Sequence, residues 1–454
     1  MCKTFLSASF GVAALLAASE LHAGAQDRMT LSGSSAGVAG ADPSVQQDPM
    51  PMGMKMPTPT PSEPPAWTFM QDGVLFAIVN HQGGPRGGSE FKVPNWWMGM
   101  ASKKFGSSQL TLTTMLSLDP ATVGKAGYRE IFQVGEALHG VPLIDHQHPH
   151  DLFMQLAAIW RVPLNDATGL TLAGGPVGEP ALGPVAFMHR ASAAETPFAP
   201  LSHHTFDSTH IAFGVVTGAI DHGPWVVEGS VFNGREPDEN RWNLDFGRLD
   251  SVSGRVWYKP SETWELQLST GHLVHPEALD PGNIQRTTAS GSWFERDGDN
   301  FAAITAGYGV NVTDSATRQA LFIEGTRRHD RTSIFGRAEL VQVETAVLLN
   351  DAIPVTPAGA ALKDTVGAFT LGGLRDLFSG ATWYGFEGGL GASLTLYAVP
   401  DALKPTHGNH PVSFQLFFRL RPPAGAMGRM WNMRMSQPMT GHEMPGMAGM
   451  GAAK

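Results

Sequence analysis

The chain has 454 residues, a net charge of −10 and only 16% charged residues. An acidic chain without a basic run argues against nucleic-acid binding, and ordinary soluble domains carry about 25% charged residues. The one cysteine, Cys2, precedes the first apolar run, so the processed chain has no disulfide, thiolate metal ligand or cysteine nucleophile.

Residues 1–25 read as an export signal. Lys3 gives the positive start, Phe10 to Ala18 the short apolar run, and Ala23-Gly24-Ala25 the cleavage site. Removing them leaves the net charge unchanged, because Lys3 and Glu20 cancel. No later stretch holds the roughly 18 uninterrupted apolar residues of a transmembrane helix. Residues 26–66 are rich in Ser, Gly, Ala and Pro and poor in large apolar residues, so disorder is expected. Within them Met50, Met52, Met54 and Met56 fall at every second position.

From 67 to 422 the dominant pattern has period two. Leu110, Leu112, Leu116 and Leu118 alternate with Thr111, Thr113, Met115 and Ser117. Trp264, Leu266 and Leu268 alternate with Glu265, Gln267 and Ser269, and Phe414, Leu416 and Phe418 with Ser413, Gln415 and Arg419. Such alternation gives a strand one apolar and one polar face. About 16 such segments occur (range about 12–18), most of them about 9 to 15 residues long, where roughly 9–11 suffice to cross a bilayer as a tilted strand. Short turns near 105–107, 221–223, 260–262, 297–299 and 330–331 alternate with long loops at 81–94, 119–149, 177–205 and 234–245. Trp160, Trp225, Tyr258, Trp264 and Tyr384 cluster near the short turns, as an interfacial girdle requires. The expected fold is all-β: a transmembrane antiparallel up-and-down barrel in the outer membrane, its partner the lipid bilayer. Asp151, Gln155, Arg161, Glu228, Arg255, Glu265, Gln267, Glu324, Arg337, Glu339, Glu387 and Arg419 would face the lumen, there to solvate a channel or to pair across it.

Residues 423–454 are expected to form a second disordered tail, periplasmic like the first, because an even strand number puts both ends on one rim. Met439, His442, Met444 and Met447 lie in it. Of the 20 methionines, four fall at 50–56 and eight at 427–450. Thioethers are soft ligands that favour Cu(I), and by the same softness Ag(I).

The densest group of ligand-type residues is Asp145-His146-Gln147-His148-Pro149-His150-Asp151. Pro149 interrupts a ladder, and the strand that follows turns its even positions (Leu152, Met154, Leu156, Trp160) outward. His146, His148 and His150 are therefore expected in a loop at the extracellular mouth. A second cluster, His203, His204 and His210, is expected at the mouth of a strand beginning near Phe206. Imidazole suits copper, zinc and nickel. Equally, these histidines could bond loop carbonyls and aspartates and tie the loops over the mouth.

The segments Met50–Met56 and His442-Glu443-Met444-Pro445-Gly446-Met447 resemble those of exported copper-resistance proteins, including the outer-membrane copper-resistance B type. Asp145–Asp151 and Gly183-Pro184-Val185-Ala186-Phe187-Met188-His189-Arg190 resemble uncharacterised proteobacterial outer-membrane proteins. The first resemblance implies copper or silver handling, by sequestration or transport, with no cofactor required beyond the ion and no enzymatic activity. A general porin or small-solute channel is the alternative. A hydrolase built on His203, His204, Asp207 and Ser208 is a second alternative, although no nucleophile motif accompanies them.

Overall fold

The computed structural model describes residues 66–278, 282–314, 316–350, 363–379, 384–423, 429 and 431–435. The signal segment, Met50 to Met56, Met439, His442, Met444 and Met447 lie outside the described residues.

The wall begins with β1 (Thr68–Gln82), β2 (Gly88–Lys92), β3 (Asn95–Phe105) and β4 (Ser108–Leu116). A separate hairpin follows, β5 (Tyr128–Leu138) and β6 (Val141–Gln147). The wall resumes with β7 (Phe153–Asn165), β8 (Thr168–Gly178), β9 (Ala212–His222), β10 (Trp225–Phe232), β11 (Ser251–Tyr258) and β12 (Trp264–Leu273). It ends with β13 (Ile284–Asp297), β14 (Asn300–Val312), β15 (Thr317–His329), β16 (Thr332–Glu344), β17 (Lys363–Phe378), β18 (Glu387–Ala398) and β19 (Val412–Arg421). β2 and β3 both pair with β1 and act as one strand broken at Pro94, so the wall is a closed 16-strand antiparallel barrel. β1 closes it on β19, from Leu75 opposite Leu420 to His81 opposite Phe414. Closure leaves no open sheet edge, as a wall facing hydrocarbon requires.

The alternation of the sequence becomes the two faces of the wall. Leu112, Leu172, Leu268, Leu394 and Leu416 are exposed outward, while Thr111, Thr113, Gln267, Ser269, Ser393 and Gln415 are buried inward. Trp160, Trp225, Trp264 and Tyr384 are exposed near the short turns. The first and last strands also end on that rim. A closed barrel with an apolar outer face and an aromatic rim is an outer-membrane protein.

Four local expectations change. Residues 119–149 are more than loop: β5 and β6 join through His139-Gly140, both at positive φ (55° and 76°), the geometry of a tight hairpin turn. Asp145, His146 and Gln147 belong to β6. The strand expected from Phe206 begins at Ala212, after two short helical turns at His203–Phe206 and Ser208–His210. Met154 points inward at 1% exposure, because the pairing of β4 with β7 shifts register between Met115 and Leu116.

The largest departure is what fills the barrel. The connection from Glu179 to Ile211, expected at the rim, folds into the lumen, and every residue of it is buried except Thr196 and His204, which are half-buried. Its composition suits that place. Small residues and prolines make short turns, and Glu179, Arg190 and Glu195 each meet an inward group of the wall. Arg190 donates to Glu324 on β15 (2.6 Å) and to Asp207 within the segment (2.8 Å). Glu324 also accepts from Arg337 on β16 (2.9 Å). Glu339 accepts from the Ser202 amide (3.0 Å) and hydroxyl (2.7 Å), and Glu195 pairs with Arg419 on β19. The inward charges of the wall thus hold a plug. Breaking such a buried pair costs about 3–5 kcal/mol, because it leaves a charge uncompensated.

The chain also returns to the lumen after β19. Arg429 pairs with Asp72 (3.0 Å) and Glu387 (3.2 Å), and the Asn432 amide donates to the His189 carbonyl (2.8 Å). Arg434 lies over the Trp257 ring (3.9 Å). Trp431 to Met435 therefore sit inside the barrel, where the sequence suggested a tail outside it.

Candidate functional site

Five of the six singled-out histidines come together. His148 and His150 arrive on the loop between β6 and β7, and His203, His204 and His210 on the helical turns of the plug. Ring centroids lie 5.2 Å apart for His203 and His210, 5.3 Å for His203 and His204, and 5.7 Å for His150 and His210. His148 completes the group, 5.5 Å from His204 and 6.0 Å from His203. His150 and His210 immediately precede β7 and β9, so the cluster sits at the long-loop end of the barrel, on the plug. His146 stays apart: its Nδ1 faces the Ile144 carbonyl (3.0 Å), as alternation along β6 dictates.

Hydrogen-bond acceptors hold Nδ1 of His148, His150, His203 and His210, while His148 Nε2 and His204 Nδ1 have none. His150 Nδ1 meets Asp119 (2.9 Å), and His203 Nδ1 meets Asp207 one helical turn on (2.8 Å). His210 Nδ1 faces the Asp207 carbonyl (2.8 Å). Glu136 lies 3.1 Å from His148 Nε2, and Glu236 3.4 Å from His204 Nδ1. In His150, His203 and His210 the acceptor takes Nδ1 and leaves Nε2 for other work, the pattern by which outer carboxylates and carbonyls orient metal-binding imidazoles. Buried His210 Nε2 has no hydrogen-bond partner. Asp119 comes from the β4–β5 connection, Glu136 from β5 and Glu236 from the β10–β11 loop, and nothing local in the sequence marks them.

Burial sets the protonation of the cluster. It lowers His148 and His210 well below the usual imidazole range and His204 to about 4. It also lowers His203 against the opposing pull of Asp207. For Asp207 burial acts upward, but Arg190 and His203 outweigh it and hold the carboxyl below its ordinary value. His148, His203, His204 and His210 are thus neutral near pH 7, the state in which imidazole binds a metal ion. Phe187 closes one side, 5.6 Å from His203 and 6.3 Å from His150.

The aspartates flanking the His-x-His-x-His run are anchors. Asp145, at φ 55°, accepts from the Phe132 amide (2.8 Å) and faces His407 (3.0 Å) and Arg86 (2.6 Å). Asp151 pairs with Arg241 (3.1 Å), which also bonds Glu136. The hydrolase pieces do not assemble as a triad: Ser208 Oγ accepts from Arg286 (3.1 Å), while Asp207 serves His203. Among the described residues, no three His, Asp or Glu side chains already present their ligand atoms around one point.

No protein-family model matches the sequence, and no curated protein matches it. Solved structures similar to it include in-vitro folded OmpT, an outer membrane protein of Vibrio cholerae (8% identity, TM-score 0.46, 78% of this chain and 97% of that one). OprB of Pseudomonas putida is similar at 11% identity and TM-score 0.46, over 78% of this chain and 94% of that one. An anion-selective porin from Comamonas acidovorans is similar at 10% identity and TM-score 0.44, over 78% of this chain and all of that one.

Proposed function

We propose that this outer-membrane barrel handles copper, holding an oxidised, imidazole-seeking ion at His148, His150, His203, His204 and His210. The observation that carries the reading is the meeting of five histidines from two distant segments. Metal–nitrogen bonds of about 2 Å at tetrahedral angles would put ring centroids about 5 Å apart. His203 stands near that spacing from His210 (5.2 Å) and His204 (5.3 Å), and His150 lies 5.7 Å from His210. No cysteine competes for the ion. Met50, Met52, Met54, Met56, Met439, His442, Met444 and Met447 would capture Cu(I) or Ag(I) on the periplasmic side. The ion is cargo, and the protein needs no catalytic group.

The alternative, a general porin, draws on the 16-strand closure. Against it stands the plug, whose charges are paired with those of the wall. One measurement separates the two. The mature protein in detergent is loaded with Cu(II), desalted and assayed for retained copper, beside His203→Gln/His210→Gln and a chain lacking residues 26–60 and 436–454. The proposal expects copper on the wild type and the truncated chain and its loss from the histidine variant. Copper absent from all three, together with a steady conductance in planar bilayers, would establish the channel instead.

A further inference from the structure

Beneath the histidine cluster is a second group with a different chemistry. A small cavity is lined by Met98 from β3, His189 from the plug, and Met433 and Met435 from the returning C-terminal segment. Thr113, Gln155, Glu179 and Arg434 make its polar side, and Ile159 completes the lining. Buried methionines are by default gap-fillers, and Met98 and Met433 share one apolar cluster with Met100, Met115, Met154 and Met188. Two observations set this group apart. His189, 7% exposed, keeps a buried Nδ1 with no hydrogen-bond partner. Met435 Sδ has a prepared berth: it accepts from the Glu179 amide (3.0 Å), and a Cβ at Gly178 would stand only 2.6 Å from it.

We propose that Met98, Met433, Met435 and His189 form a site for one soft monovalent cation, Cu(I) or Ag(I), closed by the C-terminal segment. Three thioethers and a neutral imidazole are a donor set that suits such an ion and suits hard or strongly hydrated ones poorly. Size agrees. The cavity is about 10 Å³, room for one small guest. Arg434 does not oppose the charge alone: its guanidinium lies over Trp257 (3.9 Å) and faces Glu228 (3.8 Å) and Glu265 (3.5 Å), while Glu179 brings a carboxylate to the lining. Met433-Arg434-Met435 repeats the Met-x-Met spacing of Met50 to Met56. One such unit is thus fixed within the barrel, where its sulfurs meet a histidine. The biological sense of the site rests on the copper reading above, but its chemistry does not.

The test uses silver nitrate and a full-length chain with every methionine before residue 57 and after residue 436 replaced by leucine. After desalting, silver is counted by mass spectrometry, and its neighbours are identified by X-ray absorption. The expected result is one retained ion with sulfur and nitrogen neighbours, lost on adding Met433→Leu/Met435→Leu. These swaps nearly conserve volume, and heat-modifiable migration on gels checks that the barrel is folded. His189→Gln is the independent second variant and should lose the nitrogen neighbour and weaken retention at least tenfold. No retained silver in the tail-substituted chain, or silver undiminished in both variants, would overturn the site. Failure of Cu(II) retention at His203 and His210 with silver still held would instead remove only the histidine reading.

Discussion

Replacing Arg190 by methionine should loosen the plug while leaving the wall intact. The guanidinium donates to Glu324 (2.6 Å), Asp207 (2.8 Å) and the Val185 carbonyl (2.9 Å), and lies 4.9 Å from the Phe322 ring centre. Methionine fills the stem but makes none of these bonds. Removing one member of a buried pair costs about 3–5 kcal/mol when the other charge is stranded. Here Glu324 keeps Arg337 and Asp207 keeps His203, so the loss belongs at the low end. About 3 kcal/mol corresponds to roughly a hundredfold shift of the docked plug toward the undocked state. Single-channel recording in planar bilayers reads that shift directly. The wild type should be mostly closed, and Arg190→Met should open far more often at an unchanged barrel melting temperature. A variant that conducts no more than the wild type would refute the assignment of Arg190 as the plug's anchor.

Other consequences are equally open to measurement. The lowered His148, His203, His204 and His210 bind fewer protons folded than unfolded, so stability is fully present above about pH 6.5, the ordinary histidine value. It should fall as the pH drops from there toward 4, and His203→Gln/His210→Gln should flatten a plot of melting temperature against pH. Leu268, exposed on the outer face of β12, should tolerate arginine poorly. A cost of about 2–4 kcal/mol is expected near the bilayer midplane, readable by refolding into vesicles, and a neutral result would remove Leu268 from the lipid face. Gly178→Ala should push Met435 from its berth at about 1–3 kcal/mol, seen as a lower melting temperature and weaker silver retention in the tail-substituted chain.

The wall was legible because its code is local. Period two, apolar outward, fixes which face of each strand meets lipid, and Leu266, Leu268, Phe414 and Leu416 obey it. Met154 escaped because a bulge on the neighbouring pairing reverses one step, and alternation alone does not carry that. The plug was illegible for a different reason. Arg190 and Glu324 are 134 residues apart, and an Ala- and Pro-rich stretch with a few charges reads equally well as an extracellular loop until its partners are known. The hairpin of β5 and β6 did leave a signal, His139-Gly140 between alternating residues, the two-residue turn that joins strands. For the site, the sequence supplied the histidines but not their acceptors. It also left Trp431 to Met435 as part of a tail, because Glu228, Glu265, Trp257 and the His189 carbonyl, far off in the chain, give them a place inside.

On the reading proposed above, His148 and His150 hold one copper ion together with His203, His204 and His210 of the plug. Electron paramagnetic resonance of the mature barrel loaded with one equivalent of Cu(II) tests it most directly. The account predicts couplings to three or more imidazole nitrogens, abolished in His203→Gln/His210→Gln and unchanged in a chain lacking residues 26–60 and 436–454. An aqueous copper spectrum, or nitrogen couplings that survive the two histidine substitutions, would contradict it.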